Sequence, residues 1–141
     1  MCAKYEQGHL VTVRVLLVED MKHMQAVVTD LLSTLGDFQV VGLVATEAEA
    51  KLWLAENPGA WDLAIVDLVL DQGSGIAVVP RASDARHDDG HVVVFSDYAS
   101  GGIRSHCEKL GANAVFLKSE TREFMDYCSA LGGHAAAAAP A

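Results

Sequence analysis

The sequence predicts an α/β fold: a doubly wound, five-stranded parallel sheet in the order 2-1-3-4-5, with helices on both faces. Three observations carry this expectation. Short, β-branched, mostly apolar runs alternate five times with segments of helical periodicity. The runs are apolar at successive positions rather than at every second one, which suits strands covered on both faces. The length, 141 residues, fits one such domain and suffices to bury about 68% of the surface the unfolded chain exposes. Five βα units with right-handed crossovers then place their helices on both sides of the sheet.

The elements follow in order. Residues 1–11 show no periodicity and read as an N-terminal arm, leaving 12–131 as the domain. Val13-Arg14-Val15-Leu16-Leu17-Val18 is the first strand and stops abruptly at Glu19-Asp20. Met24, Val27, Val28, Leu31 and Leu35 then recur at the spacing of an amphipathic helix, which Gly36 closes. Phe38 to Ala45 is the second strand. Thr46-Glu47-Ala48-Glu49 is a capping box opening a helix to Glu56, and Asn57-Pro58-Gly59 is a turn. Leu63 to Val66 is the third strand, ending in Asp67, and a glycine-containing loop leads to a short helix from Gly75. Ser83 to Gly90 reads as a polar loop and His91 to Phe95 as the fourth strand. A helix over Gly102 to Leu110 turns Ile103, Cys107 and Leu110 inward. Ala114 to Leu117 is the fifth strand, and Thr121 to Leu131 is the last helix, with Phe124, Cys128 and Leu131 on one face. Residues 132–141 are an alanine-rich tail, too short and biased for a domain.

Composition narrows the function. Ten basic residues against nineteen acidic ones give a net charge of −9, which repels phosphate backbones and anionic lipid. Direct nucleic-acid or membrane binding is therefore not expected. A divalent cation or a basic partner suits the charge better. The three cysteines, Cys2, Cys107 and Cys128, show no CxxC spacing and read as free thiols of a reducing compartment, the latter two as small core residues. Val15 to Val18 is too short for a signal or membrane segment and runs into two acids, so the expected location is cytoplasmic. His87, Asp88, Asp89 and His91 read as a solvated loop cluster rather than a metal site, and Trp53 and Trp61 bracket the turn after the second helix.

In doubly wound folds the site lies at the carboxyl ends of the strands. Here those ends carry Glu19-Asp20, Asp67, Ser96 and Lys118. Strands one and three are neighbours in the expected order, so three carboxylates converge. Two unit charges 4 Å apart repel by about 4 kcal/mol at an effective dielectric of 20. Such a cluster calls for a divalent cation, and all-oxygen ligation favours Mg²⁺. A hydroxyl and an ammonium complete a layout for holding a phosphoryl group on a carboxylate. Each residue alone has a plainer reading: Glu19-Asp20 as helix-capping acids, Asp67 in a turn, Ser96 as an N-cap, Lys118 as a solvated charge. Jointly, those readings require every polar strand end to be an accident.

Leu16-Leu17-Val18-Glu19-Asp20, Ala64-Ile65-Val66-Asp67, Val93-Val94-Phe95-Ser96 and Phe116-Leu117-Lys118, in that order, resemble the receiver domain of bacterial two-component response regulators. The resemblance spans residues 12 to 131 and implies a flavodoxin-like (βα)5 unit. It implies Asp67 as phosphoacceptor, charged by a sensor histidine kinase or a histidine phosphotransfer protein. Asp20 and Asp67 would then ligate Mg²⁺ directly, Glu19 through its waters, and Val69 through its backbone carbonyl. Ser96 and Lys118 would each bond a phosphoryl oxygen. The output partner is unnamed, and its surface would be the face of residues 98–131, with a phosphorylation-linked dimer as one outcome.

The chain departs from the family's pattern in places. Ser119 stands where a proline usually follows the lysine, and Val115 stands where a switch aromatic is expected. Phe116 points to the opposite face, leaving Tyr98 as a substitute. Val69 and Tyr98 occupy positions the family links to water access, which implies slow self-dephosphorylation. Two other functions are weighed. An aspartyl-phosphate phosphatase needs a second acid two residues after the nucleophile, where this chain has Val69. A receiver-like interaction module that works without phosphorylation is kept open by Ser119 and Val115. Strand one is followed by no glycine-rich loop, so a dinucleotide or P-loop site has no cradle.

Overall fold

A computed structural model describes residues 5–6, 9–10 and 12–132. Its main sheet consists of β1 (Val13–Val18), β2 (Phe38–Val44), β3 (Leu63–Val66), β4 (His91–Ser96) and β5 (Ala114–Leu117). The strands are all parallel and lie in the order β2-β1-β3-β4-β5. The helices α1 (Lys22–Leu35), α2 (Glu47–Glu56), α3 (Gly75–Ala85), α4 (Gly102–Lys109) and α5 (Thr121–Leu131) connect and follow them. The expected topology is the observed one. In the arm, Tyr5–Glu6 and His9–Leu10 pair as a short antiparallel ribbon, where the sequence suggested no regular structure.

Alternation along the strands divides the core into two layers. Val13, Val15 and Leu17 of β1 join Leu63, Ile65, Val93 and Phe95 against Val28 and Leu32 of α1 and Phe124 and Cys128 of α5. Leu16 and Val18 face the other way, with Ala64, Val66, Val92 and Val94, against α2, α3 and Cys107 of α4. Phe95 stacks on Phe124 with ring centroids 4.1 Å apart, and Phe116 meets Phe124 and Tyr127 edge-on. Trp61 is buried in the α2–α3 layer, and Trp53 packs against the same layer over Gly42. A Cβ at Gly42 would lie 2.5 Å from the Trp53 ring, so that strand position has room only for hydrogen.

Local expectations needed four corrections. The buried stripe of α1 runs through Val28 and Leu32, with Leu31 only half-buried. Helix α3 continues three residues into the expected loop, through Ser83 to Ala85, although Pro80 lies within it. The extension is held because Ala82 is buried and Ala85 packs on the core. Arg86 then anchors the chain, donating to Gly111 O and Asn113 Oδ1, each at 2.8 Å. Ile103 is exposed rather than inward, because α4 is short and buries only Cys107. The His87–His91 segment is not simply solvated: His87 bonds the buried Asp62, and His91 Nδ1 lies 2.7 Å from the Tyr127 hydroxyl. Burial pushes the Cys128 thiol up to about 12 and also raises Cys107, as fits core thiols. No described helix is long and apolar enough to cross a membrane.

Candidate functional site at the carboxyl ends of the strands

Parallel strands in this order deliver the residues after β1, β3 and β5 to one rim. Glu19 and Asp20 follow β1, Asp67 follows its neighbour β3, and Lys118 follows β5. One oxygen from each of the three acids lies within 4.8 Å of the others. Glu19 is 2% exposed and Asp67 6%, while Asp20 is half-buried.

Lys118 joins this cluster across most of the chain. Its Nζ donates to Glu19 Oε1 at 2.8 Å and to Asp67 Oδ2 at 3.0 Å, bridging residues 99 and 51 positions away. Burial pulls the ammonium's pKa down, but the bonds and charges of Glu19 and Asp67 outweigh it and raise it overall. Glu19 is displaced toward the neutral form chiefly by its burial, with the Asp67 charge acting in the same direction. One cation therefore pairs with two of three clustered carboxylates, and the negative excess lies on the side of the half-buried Asp20.

Backbone groups fix the acids in place. Glu19 Oε2 accepts from Met21 N–H at 3.2 Å, and Gln25 Nε2 donates to the Glu19 carbonyl at 2.7 Å. Asp20 Oδ2 accepts from Asp71 N–H at 2.8 Å, and Asp67 Oδ1 from Val69 N–H at 3.4 Å. Asp67 and the start of α3 also approach very closely. Gly75 N–H donates to Leu68 O at 2.9 Å, and a Cβ on Gly75 would fall 1.8 Å from the Asp67 carbonyl oxygen. Glycine is required there because no side chain fits.

Ser96, the last residue of β4, is fully buried, and its hydroxyl accepts from Tyr98 N–H at 3.3 Å rather than meeting the charged cluster. Its carbonyl accepts from Lys118 N–H at 3.2 Å, which ties the two strand ends together. Val69 is exposed and forms an isolated antiparallel bridge with Ser74; Tyr98 is exposed as well. Val115 is buried in the α2–α4 layer, while Phe116 packs in the opposite layer. The switch position thus carries no aromatic. Sequence reasoning missed Gly75 and the backbone donors at Val69 and Asp71. The only local signal for them was the spacing of Gly73 and Gly75 behind Asp67.

Comparison with known proteins agrees with this geometry. The family model for the response regulator receiver domain matches residues 15–127. The response regulator domain of Thermotoga maritima CheB is 19% identical, with a TM-score of 0.72, covering 92% of this chain and 99% of that one. A Burkholderia pseudomallei response regulator, solved with a phosphorylated aspartic acid, calcium and citrate, is 19% identical with a TM-score of 0.65, covering 82% and 72%. The receiver domain of the Pseudomonas aeruginosa sensor histidine kinase PA1611, with magnesium in its active-site cleft, is 22% identical with a TM-score of 0.64, covering 84% and 98%. No curated protein matches the sequence. The family match runs from β1 into α5 and takes in every strand end that carries a site residue, so the chain belongs to the response regulator receiver domain family.

Proposed function

We propose that this chain is a phosphoacceptor receiver of a two-component relay, phosphorylated on Asp67 by a sensor histidine kinase or a histidine phosphotransfer protein. The observation that carries the reading is the cluster of Glu19, Asp20 and Asp67 with the Lys118 ammonium set between two of them. The family is a signalling module, and the same geometry allows self-catalysed phosphotransfer and dephosphorylation without a separate enzymatic activity. The unit would span residues 12–131, flanked by the arm and the alanine-rich tail, and would work in the cytoplasm.

The donor set suits Mg²⁺: three clustered carboxylates, oxygen only, at a rim open to water. Glu19, Asp20, Asp67 and the Val69 carbonyl would hold the ion; the similar Pseudomonas aeruginosa domain carries magnesium in its active-site cleft. When bound, the ion neutralises charge on the phosphoryl oxygens. An Asp67 carboxylate oxygen forms the bond to phosphorus as the P–N bond of the partner's phosphohistidine breaks, and the imidazole leaves with the electron pair and takes up a proton. Lys118, already 3.0 Å from Asp67 Oδ2, pairs with a phosphoryl oxygen. Ser96, whose oxygen accepts from Tyr98 N–H and keeps its own proton to give, supplies a hydroxyl to another. Catalysis is positioning and charge neutralisation. The new dianion draws Ser96 and Lys118 inward and reshapes the face of residues 98–131, where an output partner or a second copy docks.

The test is intact mass after incubation with Mg²⁺ and a small-molecule phosphodonor, beside Asp67→Asn. One labile phosphoryl adduct, absent from the variant, is expected. No adduct on folded protein, beside a working control receiver, favours the phosphate-independent interaction module. With Val69 and Tyr98 exposed at the rim, the adduct should persist well beyond seconds; decay within seconds contradicts that part of the reading.

A further inference from the structure

The amino end of α2 lies outside the acidic cluster, yet it grips the loop that follows Asp67 at three successive residues. Glu47 N–H donates to Gln72 O at 3.1 Å. Gly73 passes so close to Glu47 that a Cβ there would lie 2.4 Å from the Glu47 Cβ. Glu47 Oε1 accepts from Ser74 N–H at 2.9 Å, a bond spanning 27 residues of sequence. The other carboxylate oxygen is held by Lys51 Nζ at 2.6 Å, one turn along α2. Gly73 has a positive φ of 86°, so the loop can make this pass only with glycine.

What the grip holds bears on the site. Ser74 forms the antiparallel bridge with Val69, whose N–H points at Asp67 Oδ1. On the other limb of the same loop, Asp71 N–H donates to Asp20 Oδ2. One side chain on α2 thus fixes the backbone that connects two of the three clustered acids. The carboxylate is held ionised, its pKa lowered first by the Lys51 bond and then by Ser74 N–H, so it can act as a constant acceptor.

We propose that Glu47 is a positioning residue for the divalent-cation site: through Ser74 it sets the Val69 backbone, and through the loop it sets Asp20. This deepens the receiver reading and rests on it. Partners that orient metal ligands from one shell out change metal affinity by about 10- to 100-fold when removed. Here the contact is through backbone rather than directly to a ligand, so the lower end applies.

The experiment is calorimetric titration of the intact protein with Mg²⁺ alone, for wild type, Glu47→Ala and Glu47→Gln. Amide hydrogen exchange at Asp71 and Ser74 is read in metal-free buffer on the same samples. Glu47→Ala should weaken Mg²⁺ binding about tenfold and expose both amides. Glu47→Gln keeps an oxygen for Ser74 N–H and should restore most of the affinity, although it loses the Lys51 ion pair. A merely structural loss would lower the two variants' melting temperatures without this split in affinity. The proposal is overturned if Glu47→Ala binds Mg²⁺ within twofold of wild type, or if Glu47→Gln loses as much as the alanine variant. Wild type that binds no Mg²⁺ overturns the receiver reading and this proposal together, which separates that failure from the other two.

Discussion

The two ends of the sheet treat buried charge in opposite ways. At the amino ends of the strands, Asp62 is fully buried and fully matched. Arg14 donates from its backbone N–H at 2.8 Å and from Nε at 3.0 Å to Asp62 Oδ2, and from its guanidinium to Oδ1 at 2.9 Å. His87 Nε2 adds a contact at 2.9 Å, and Asp89 N–H donates to His87 Nδ1, which leaves the ring hydrogen on Nε2 facing the carboxylate. Burial pushes the Asp62 carboxyl up, but the Arg14 and His87 bonds prevail and hold it below its ordinary value. At the carboxyl ends, Lys118 pairs with Glu19 and Asp67 and leaves Asp20 to the Asp71 N–H, and burial moves Glu19 the other way. A matched buried charge serves stability; an unmatched one stores a demand for positive charge. That difference separates a structural polar cluster from a site.

The largest expected effect comes from breaking the matched end. Asp62→Ala leaves Arg14 and His87 facing a buried void and should cost about 4 kcal/mol by urea unfolding, with no recovery on adding Mg²⁺. A cost under about 1 kcal/mol would erase the distinction between the two ends. Lys118→Ala should cost about 3 kcal/mol in metal-free buffer, since Glu19 and Asp67 lose their common partner, and Mg²⁺ should return most of it. Equal stability with and without Mg²⁺ in that variant would argue against the cation demand.

Gly75→Ala should cost about 2 kcal/mol, because its Cβ must displace the Asp67 backbone. Slower phosphoryl acceptance at unchanged Mg²⁺ saturation would confirm that the strain reaches Asp67.

The smallest effect is in pH dependence, and its sign differs between the ends. Asp62 has a depressed folded pKa, so its stabilisation is complete above the ordinary value of 3.8 and is lost as pH falls through the folded one. Glu19 has a raised folded pKa, so its contribution is complete below the ordinary 4.5 and is lost as pH rises through the folded one. In metal-free buffer, wild type minus Glu19→Gln should therefore lose stability with rising pH above 4.5, by no more than about 1.4 kcal/mol per unit. Wild type minus Asp62→Asn should lose it with falling pH below 3.8. Slopes of the same sign would refute the contrast.

The carboxyl end was far more legible in sequence than the amino end. Each apolar run stopped at a polar residue, and strand order alone brought Glu19, Asp20, Asp67 and Lys118 to one rim. Asp62 and Arg14 gave weaker signals, an acid just before an apolar strand and a lone arginine within one, because their pairing spans 48 residues that no local period encodes. Glu47 was read only as part of a capping box. Thr46 Oγ1 does accept from Glu49 N–H, but the bond from Ser74 to Glu47 exists only once α2 meets the loop. The inward reading of Ile103 failed for a related reason: periodicity gives a face, and the length of the helix decides how much of that face is covered.

The most direct test of the charge imbalance is the magnesium dependence of thermal unfolding for wild type, Asp20→Asn and Asp62→Asn. Wild type should gain about 2.7 kcal/mol at a hundredfold excess of Mg²⁺ over its Kd. Asp20→Asn should start more stable without metal, through relief of repulsion, and gain little. Asp62→Asn should start less stable and keep the full gain. A wild type indifferent to Mg²⁺, or an Asp62→Asn variant that loses the gain as Asp20→Asn does, would contradict the account.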